Sequence, residues 1–124
     1  MNKSILLTGS VFLALAVITG AFGAHALKAR LADSMMQIYK TAVEYHFYHA
    51  LGLLFVGILS VQFPSVLINW SGICLIMGIV LFSGSLYVIA LTGIRWIGVI
   101  TPIGGISFIA GWLLLFFSIW KNFK

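Results

Sequence analysis

The sequence predicts an all-α fold, a four-helix transmembrane bundle running antiparallel, up-down-up-down, with short loops. Three observations carry this. The chain is 62% hydrophobic and only 7% charged, whereas a water-soluble domain carries about 25% charged residues. No Lys, Arg, Asp or Glu occurs from Ile5 to Leu27, from Tyr45 to Ile94, or from Trp96 to Trp120. The apolar runs divide into four, at about Ile5–Ala26, Ala42–Phe63, Ile68–Thr92 and Ile97–Trp120, each near the roughly 20 residues that cross about 30 Å of hydrocarbon. Helix is the expected conformation in every run, because each backbone N–H and C=O in hydrocarbon must find its partner within the protein. The alternation in segments of about ten residues that marks a membrane barrel is absent. The 124 residues form a single membrane domain, 1–124, since no connector is long enough to fold separately.

The elements follow in order. The first helix ends near Ala26, and Lys28 to Ser34 forms a polar connector. Asp33 or Ser34 is suited to cap the next helix, expected from near Met35. Its first turns mix polar and apolar residues, which places the membrane boundary near Glu44. Pro64 stops it, because the residue before a proline avoids the α conformation. The third helix is expected from about Asn69 to Thr92-Gly93. The very short Ile94-Arg95-Trp96 link forces the last two helices into an antiparallel hairpin. Pro102, in the first turns of the fourth helix, cannot donate to the Gly98 carbonyl and is expected to kink the helix. Gly20, Gly23, Gly84, Gly104, Gly105 and Gly111 are candidate packing positions, since small residues let helix backbones approach where no hydrophobic effect drives them together.

Several classes fall away. The net charge of +5 is scattered, so no nucleic acid is an expected partner; Lys and Arg read instead as interfacial anchors and topology signals. Cys74 is alone and reads as apolar filler. Lys3, the apolar core after it and Ala24-His25-Ala26 imitate a secretory signal, but the Gly/Ala-rich stretch suits close helix contact and the first helix is expected to be retained. Lys3, Lys121 and Lys124 mark one side of the bundle, and Lys28, Arg30, Lys40 and Arg95 the other. That near-balance leaves Lys3 before an apolar core as the pointer, and it favours cytoplasmic termini. The expected partners are the lipid bilayer and, beside it, a membrane protein or further copies of the chain in a homo-oligomer.

The candidate polar cluster is His25, Glu44, His46, His49, Tyr87 and Thr101. At about 100° per residue, Glu44 shares a stripe with Gln37, Thr41 and Tyr48, while His46 and His49 lie on the other side. An acid–base dyad within that helix is therefore not expected. Three readings of the histidines stay open: packing and hydrogen bonding at the interface, a proton-handling role, and an i,i+3 pair that holds a metal with His25 as third ligand. For Glu44 the alternatives are an ion pair with Lys40 or Lys28, or an intramembrane functional carboxylate. Serine hydroxyls such as those of Ser83 and Ser85 are expected to bond their own helix's carbonyls. No nucleophile with an adjacent base, phosphate loop or paired carboxylates can be found, so no catalytic residue, metal or cofactor is expected.

Four stretches, Gly20-Ala-Phe-Gly-Ala-His-Ala-Leu27, Glu44-Tyr45-His46 with His49, Leu81 to Tyr87, and Thr101-Pro-Ile-Gly-Gly105 with Gly111-Trp112, resemble signatures of the domain-of-unknown-function 423 family of small bacterial membrane proteins, to which animal transmembrane protein 256 is similar. The resemblance spans the whole chain in order. It implies a four-helix inner-membrane protein with an uncleaved first helix, and it implies no activity. Because its motifs coincide with the polar candidates, it suggests one polar cluster joining all four helices. Three functions are weighed: a non-catalytic structural or accessory component; a small proton- or cation-coupled transporter or channel using the Glu/His cluster; and a metal-dependent membrane enzyme. The first is favoured.

Overall fold

The computed structural model describes residues 2–123, and every regular element among them is helical. Four helices are long and apolar enough to cross a membrane: α1 Asn2–Leu27, α2 Asp33–Gln62, α3 Val66–Thr92 and α4 Arg95–Asn122. Connectors 28–32, 63–65 and 93–94 reverse the chain each time, which yields the antiparallel bundle. At 30 residues, α2 is about 45 Å long and overshoots the roughly 30 Å hydrocarbon layer. Its first turns therefore stand in the headgroup region, as the mixed polarity there implied.

Three boundaries differ in their chemistry from the expectation. Neither Asp33 nor Ser34 caps α2. Ala32 holds the cap position without a side-chain bond, and Asp33 sits in the first turn, where its charge complements the positive end of the helix dipole. Helix α3 begins at Val66, ahead of Asn69, because the Ser65 hydroxyl accepts from the Ile68 N–H at 3.1 Å. Pro102 does not interrupt a formed helix. The chain enters α4 through a 3-10 turn, Arg95–Val99, and regular α structure starts at Thr101 with Pro102 in its first positions, where the missing N–H costs no hydrogen bond. The expected kink is thus a junction between two helix types. Gly93 ends α3 at φ 73°, a left-handed conformation that glycine adopts without steric cost.

The bundle has two inner and two outer helices. In the most apolar stretches of α2 and α3, 44% and 39% of residues are buried, against 17% in α1 and 22% in α4. Helix α1 packs chiefly on α2, and α4 chiefly on α3. Ile5, Leu53, Val56, Ile68, Leu75 and Phe108 form the centre of the core, drawn from all four helices. A smaller cluster of Leu27, Tyr39 and Ala90 closes the end that holds the α1–α2 connector.

Close approach and hydrogen bonds hold the helices together, as they must where lipid is as apolar as leucine. Gly104 of α4 lies against the backbone of Phe82 of α3, and a β-carbon there would meet the Phe82 Cα at 2.8 Å. Gly23 and Gly111 are also buried at helix contacts, whereas Gly20 and Gly105 meet their neighbours at ordinary distance and the expected packing glycine Gly84 has nothing within 4 Å. Gly78, a small residue of the third helix read as part of a packing face, is in close contact with Phe108, and Gly9, Gly52, Gly57 and Gly72 are close-contact positions that the sequence reading passed over. The serines also depart from expectation. Ser83 donates to the Ala42 carbonyl of α2 at 2.8 Å, Ser71 to the Gly111 carbonyl of α4 at 2.8 Å, and Ser107 to the Cys74 carbonyl of α3 at 2.7 Å. These hydroxyls stitch neighbouring helices together, because close packing brings a foreign carbonyl within reach. Ser85 does bond its own helix, at the Phe82 carbonyl.

A single π turn, Ile79–Ser83, interrupts α3. The extra residue of such a turn rotates everything after it by about 100°. Ser83 thereby meets α2, Ser85 meets Thr101 of α4, and Tyr87 reaches α1 and α2. A second π turn, Gly23–Leu27, ends α1.

Candidate functional site

The most connected polar group lies between α1, α2 and α3. His46 is 4% exposed, and its Nδ1 is 2.9 Å from the Tyr87 hydroxyl. That hydroxyl is 3.1 Å from Thr19 Oγ1, which in turn lies 3.1 Å from the Ala16 carbonyl. The Tyr39 hydroxyl donates to the Thr19 carbonyl. The rings pack as well as bond. Phe12 stands edge-on to His46 at 6.0 Å, and Tyr39 edge-on to Tyr87 at 5.4 Å.

Counting protons orders this chain. A neutral His46 carries one ring N–H, and Tyr87 and Thr19 carry one O–H each. With the proton on Nδ1, His46 donates to Tyr87, Tyr87 to Thr19, and Thr19 to the Ala16 carbonyl, so all three contacts are made. Nε2, which is buried and unpartnered, is then a bare acceptor. With the proton on Nε2, Tyr87 donates to His46, and Thr19 has one O–H for two acceptors, Tyr87 and the Ala16 carbonyl, so one of those contacts is lost. The buried ring N–H then has no partner. The first arrangement satisfies more groups and leaves no buried donor orphaned. In both, the chain ends inside the bundle.

The six candidates do not form one cluster. His46 and Tyr87 meet. His49 donates from Nδ1 to the Tyr45 carbonyl at 2.7 Å, one turn back in its own helix, and stacks on Phe108 of α4 with ring centres 3.5 Å apart. Thr101 pairs with Ser85 at 2.6 Å. His25 is exposed in the π turn that ends α1, and Glu44 is exposed on α2. The single network spanning all four helices is therefore corrected to separate contacts. The 60° between His46 and His49 on α2 aims one at α1 and α3 and the other at α4. Among the described residues no three His, Cys, Asp or Glu side chains come together as a metal would need, and His25 does not join the other histidines. Sequence reasoning missed Thr19 and Tyr39. Tyr39 does share a helix face with Ala42, His46 and Ala50, and all four are buried, so the periodicity of α2 carried a signal for it. Thr19 carried none.

Glu44 belongs to a different feature. A cavity of about 320 Å³ opens between the end of α1 and the start of α2, lined by Gly20, Gly23, Tyr39, Lys28, Lys40 and Glu44 among others. Gly23 and Tyr39 are buried at its floor, while Lys28, Lys40 and Glu44 are exposed at its rim. The ion pair considered for Glu44 is not made: no Lys–carboxylate contact within 4.0 Å occurs among the described residues. Tyr39 forms a wall common to the cavity and the His46 chain.

Residues 19–105 match the family described as "Protein of unknown function (DUF423)". The chain belongs to this family. A UPF0382 membrane protein of Staphylococcus haemolyticus is 49% identical over 96% of this chain and 97% of its own length. One of Staphylococcus epidermidis is 50% identical over 91% and 92%. The UPF0382 membrane protein YwdK of Bacillus subtilis is 42% identical over 91% and 93%. No solved structure matches. The family assignment agrees with the motif resemblance, and the family match runs from Thr19 to beyond Thr101, so it contains Thr19, His46 and Tyr87 and the cavity rim. Relatives named as membrane proteins, together with four membrane-length apolar helices, make this a multi-pass membrane protein.

Proposed function

We propose that the protein is a non-catalytic structural or accessory component of the bacterial cell membrane, with both termini on the cytoplasmic side. The observation that carries this reading is the closed end of the His46 chain. It terminates on the Ala16 carbonyl of α1, so its hydroxyls lock helices together. A path for protons needs an exit to water at each end. Ser71, Ser83 and Ser107 end on carbonyls of neighbouring helices. The outer helices keep exposed apolar faces, with Val11, Leu15 and Ile18 on α1 and Ile106, Ile109 and Leu113 on α4. Faces of this kind suit lipid, a larger membrane protein or a second copy.

The test is flux. Full-length protein in liposomes carrying a pH-sensitive dye is expected to pass protons no faster than protein-free liposomes. Flux above that background, abolished by Glu44→Gln, would establish the transporter instead. Mild-detergent extraction from native membrane is expected to recover the chain in a larger assembly.

A further inference from the structure

The cavity at the end of α1 lies outside the reading above, and its chemistry is specific. Its rim carries two ammonium groups, Lys28 and Lys40, and one carboxylate, Glu44. Opposite charges that share a rim would ordinarily pair, yet no ion pair within 4.0 Å forms among the described residues. Both signs are therefore free to meet a ligand. The floor is apolar, with the Tyr39 ring beside Gly23, and its volume of about 320 Å³ falls within the roughly 300–1,000 Å³ of small-molecule sites. Counting back about 20 residues along α2 from Gln62 reaches Val43, so Val43 and Glu44 line the cavity at the hydrocarbon boundary, while Tyr39 and Lys40, a turn further out, line it at headgroup level.

We propose that this cavity takes the headgroup of an amine-bearing phospholipid, with Lys28 and Lys40 on the phosphate and Glu44 on the primary ammonium. Lysine N–H groups make charge-assisted hydrogen bonds to phosphate oxygens, and a carboxylate accepts them from an ammonium. The first methylenes of the lipid lie against Val43, beside Gly20, at the inner end of the cavity. A quaternary ammonium has no N–H to donate, and a glycerol headgroup has no cation to offer Glu44. The site thus discriminates among headgroups of equal phosphate charge by one carboxylate.

Native mass spectrometry of the full-length chain tests this, with phosphatidylethanolamine, phosphatidylcholine and phosphatidylglycerol of identical acyl chains. The ethanolamine lipid is expected to be retained in preference to the other two. Lys28→Gln and Lys40→Gln are each expected to weaken its retention about fivefold, the contribution of one interfacial lysine near a lipid phosphate. Glu44→Gln is expected to erase the preference for the amine lipid while the glycerol lipid still binds. Ala24→Trp, at an exposed lining position, fills the mouth without touching the core and is expected to abolish retention with the helical circular dichroism unchanged. Soluble phosphoethanolamine is expected to bind at least tenfold more weakly than the lipid, because it leaves the apolar floor uncovered. Equal retention of the three lipids, or retention indifferent to Glu44→Gln and Ala24→Trp, would overturn the assignment. Soluble phosphoethanolamine binding as tightly as the lipid would overturn the lipid as the occupant.

Discussion

Tyr87 carries a phenol into the middle of a protein that has few polar side chains, and its position there is explained by what its hydroxyl touches. One oxygen serves both His46 on α2 and Thr19 on α1, so it joins three helices at one atom. Tyr87→Phe keeps the ring and its edge-on contacts with Tyr39 and His46 but leaves the His46 Nδ1–H without an acceptor, while Thr19 keeps its bond to the Ala16 carbonyl. The expected loss is about 1 kcal/mol, in the range of hydrogen bonds between membrane helices, read as a lowered unfolding midpoint in detergent. The serines are simpler. Ser83→Ala removes one bond to the Ala42 carbonyl and is expected to cost about 0.6 kcal/mol.

Among the elements, α3 has the most to explain. Its π turn gives the segment after Ser83 a different rotation from the segment before it, and only for that reason do Ser85 and Tyr87 face α4 and α1–α2 respectively. Glycines near this turn have opposite roles. Gly104 admits the Phe82 backbone, and Gly84 borders empty space. Gly104→Ala is therefore expected to destabilise by about 1–3 kcal/mol, the usual cost of overpacking. Gly84→Ala is expected to stabilise by about 0.5–1 kcal/mol through helix propensity. Denaturation of the two variants in the same detergent measures the contrast, and two values of like sign would contradict the packing described.

On the scale of the whole molecule, α2 and α3 carry the buried contacts while α1 and α4 face outward. The outer faces are set by the solvent they meet. Ile109 is exposed near the middle of α4, so Ile109→Arg brings a charge to the bilayer centre without disturbing the core. It is expected to cost about 2.5–3.5 kcal/mol of insertion free energy, visible as a reduced inserted fraction in a glycosylation-mapping assay. The cavity belongs to this scale too, since neither α1 nor α2 alone has a concave surface.

The four spans, their order and their antiparallel pairing were legible in the sequence, because membrane insertion depends on summed hydropathy and short connectors, both of which a linear chain displays. The family was legible through its motifs. The opposed stripes of Glu44 and the histidines were legible as well, since a helix holds its own residues at a constant angle. Which polar atoms meet across helices was decided by the tertiary structure alone. Thr19 reaches Tyr87 and through it His46, and His25 and Glu44 stay apart from them, because of the rotation and axial offset of each helix. Those are fixed by close contacts between residues far apart in the chain, such as Gly104 on Phe82 and Gly9 on Leu54, and by one extra residue in a π turn. A one-residue change in that turn redirects the last third of a helix while leaving hydropathy untouched, so composition carries no record of it.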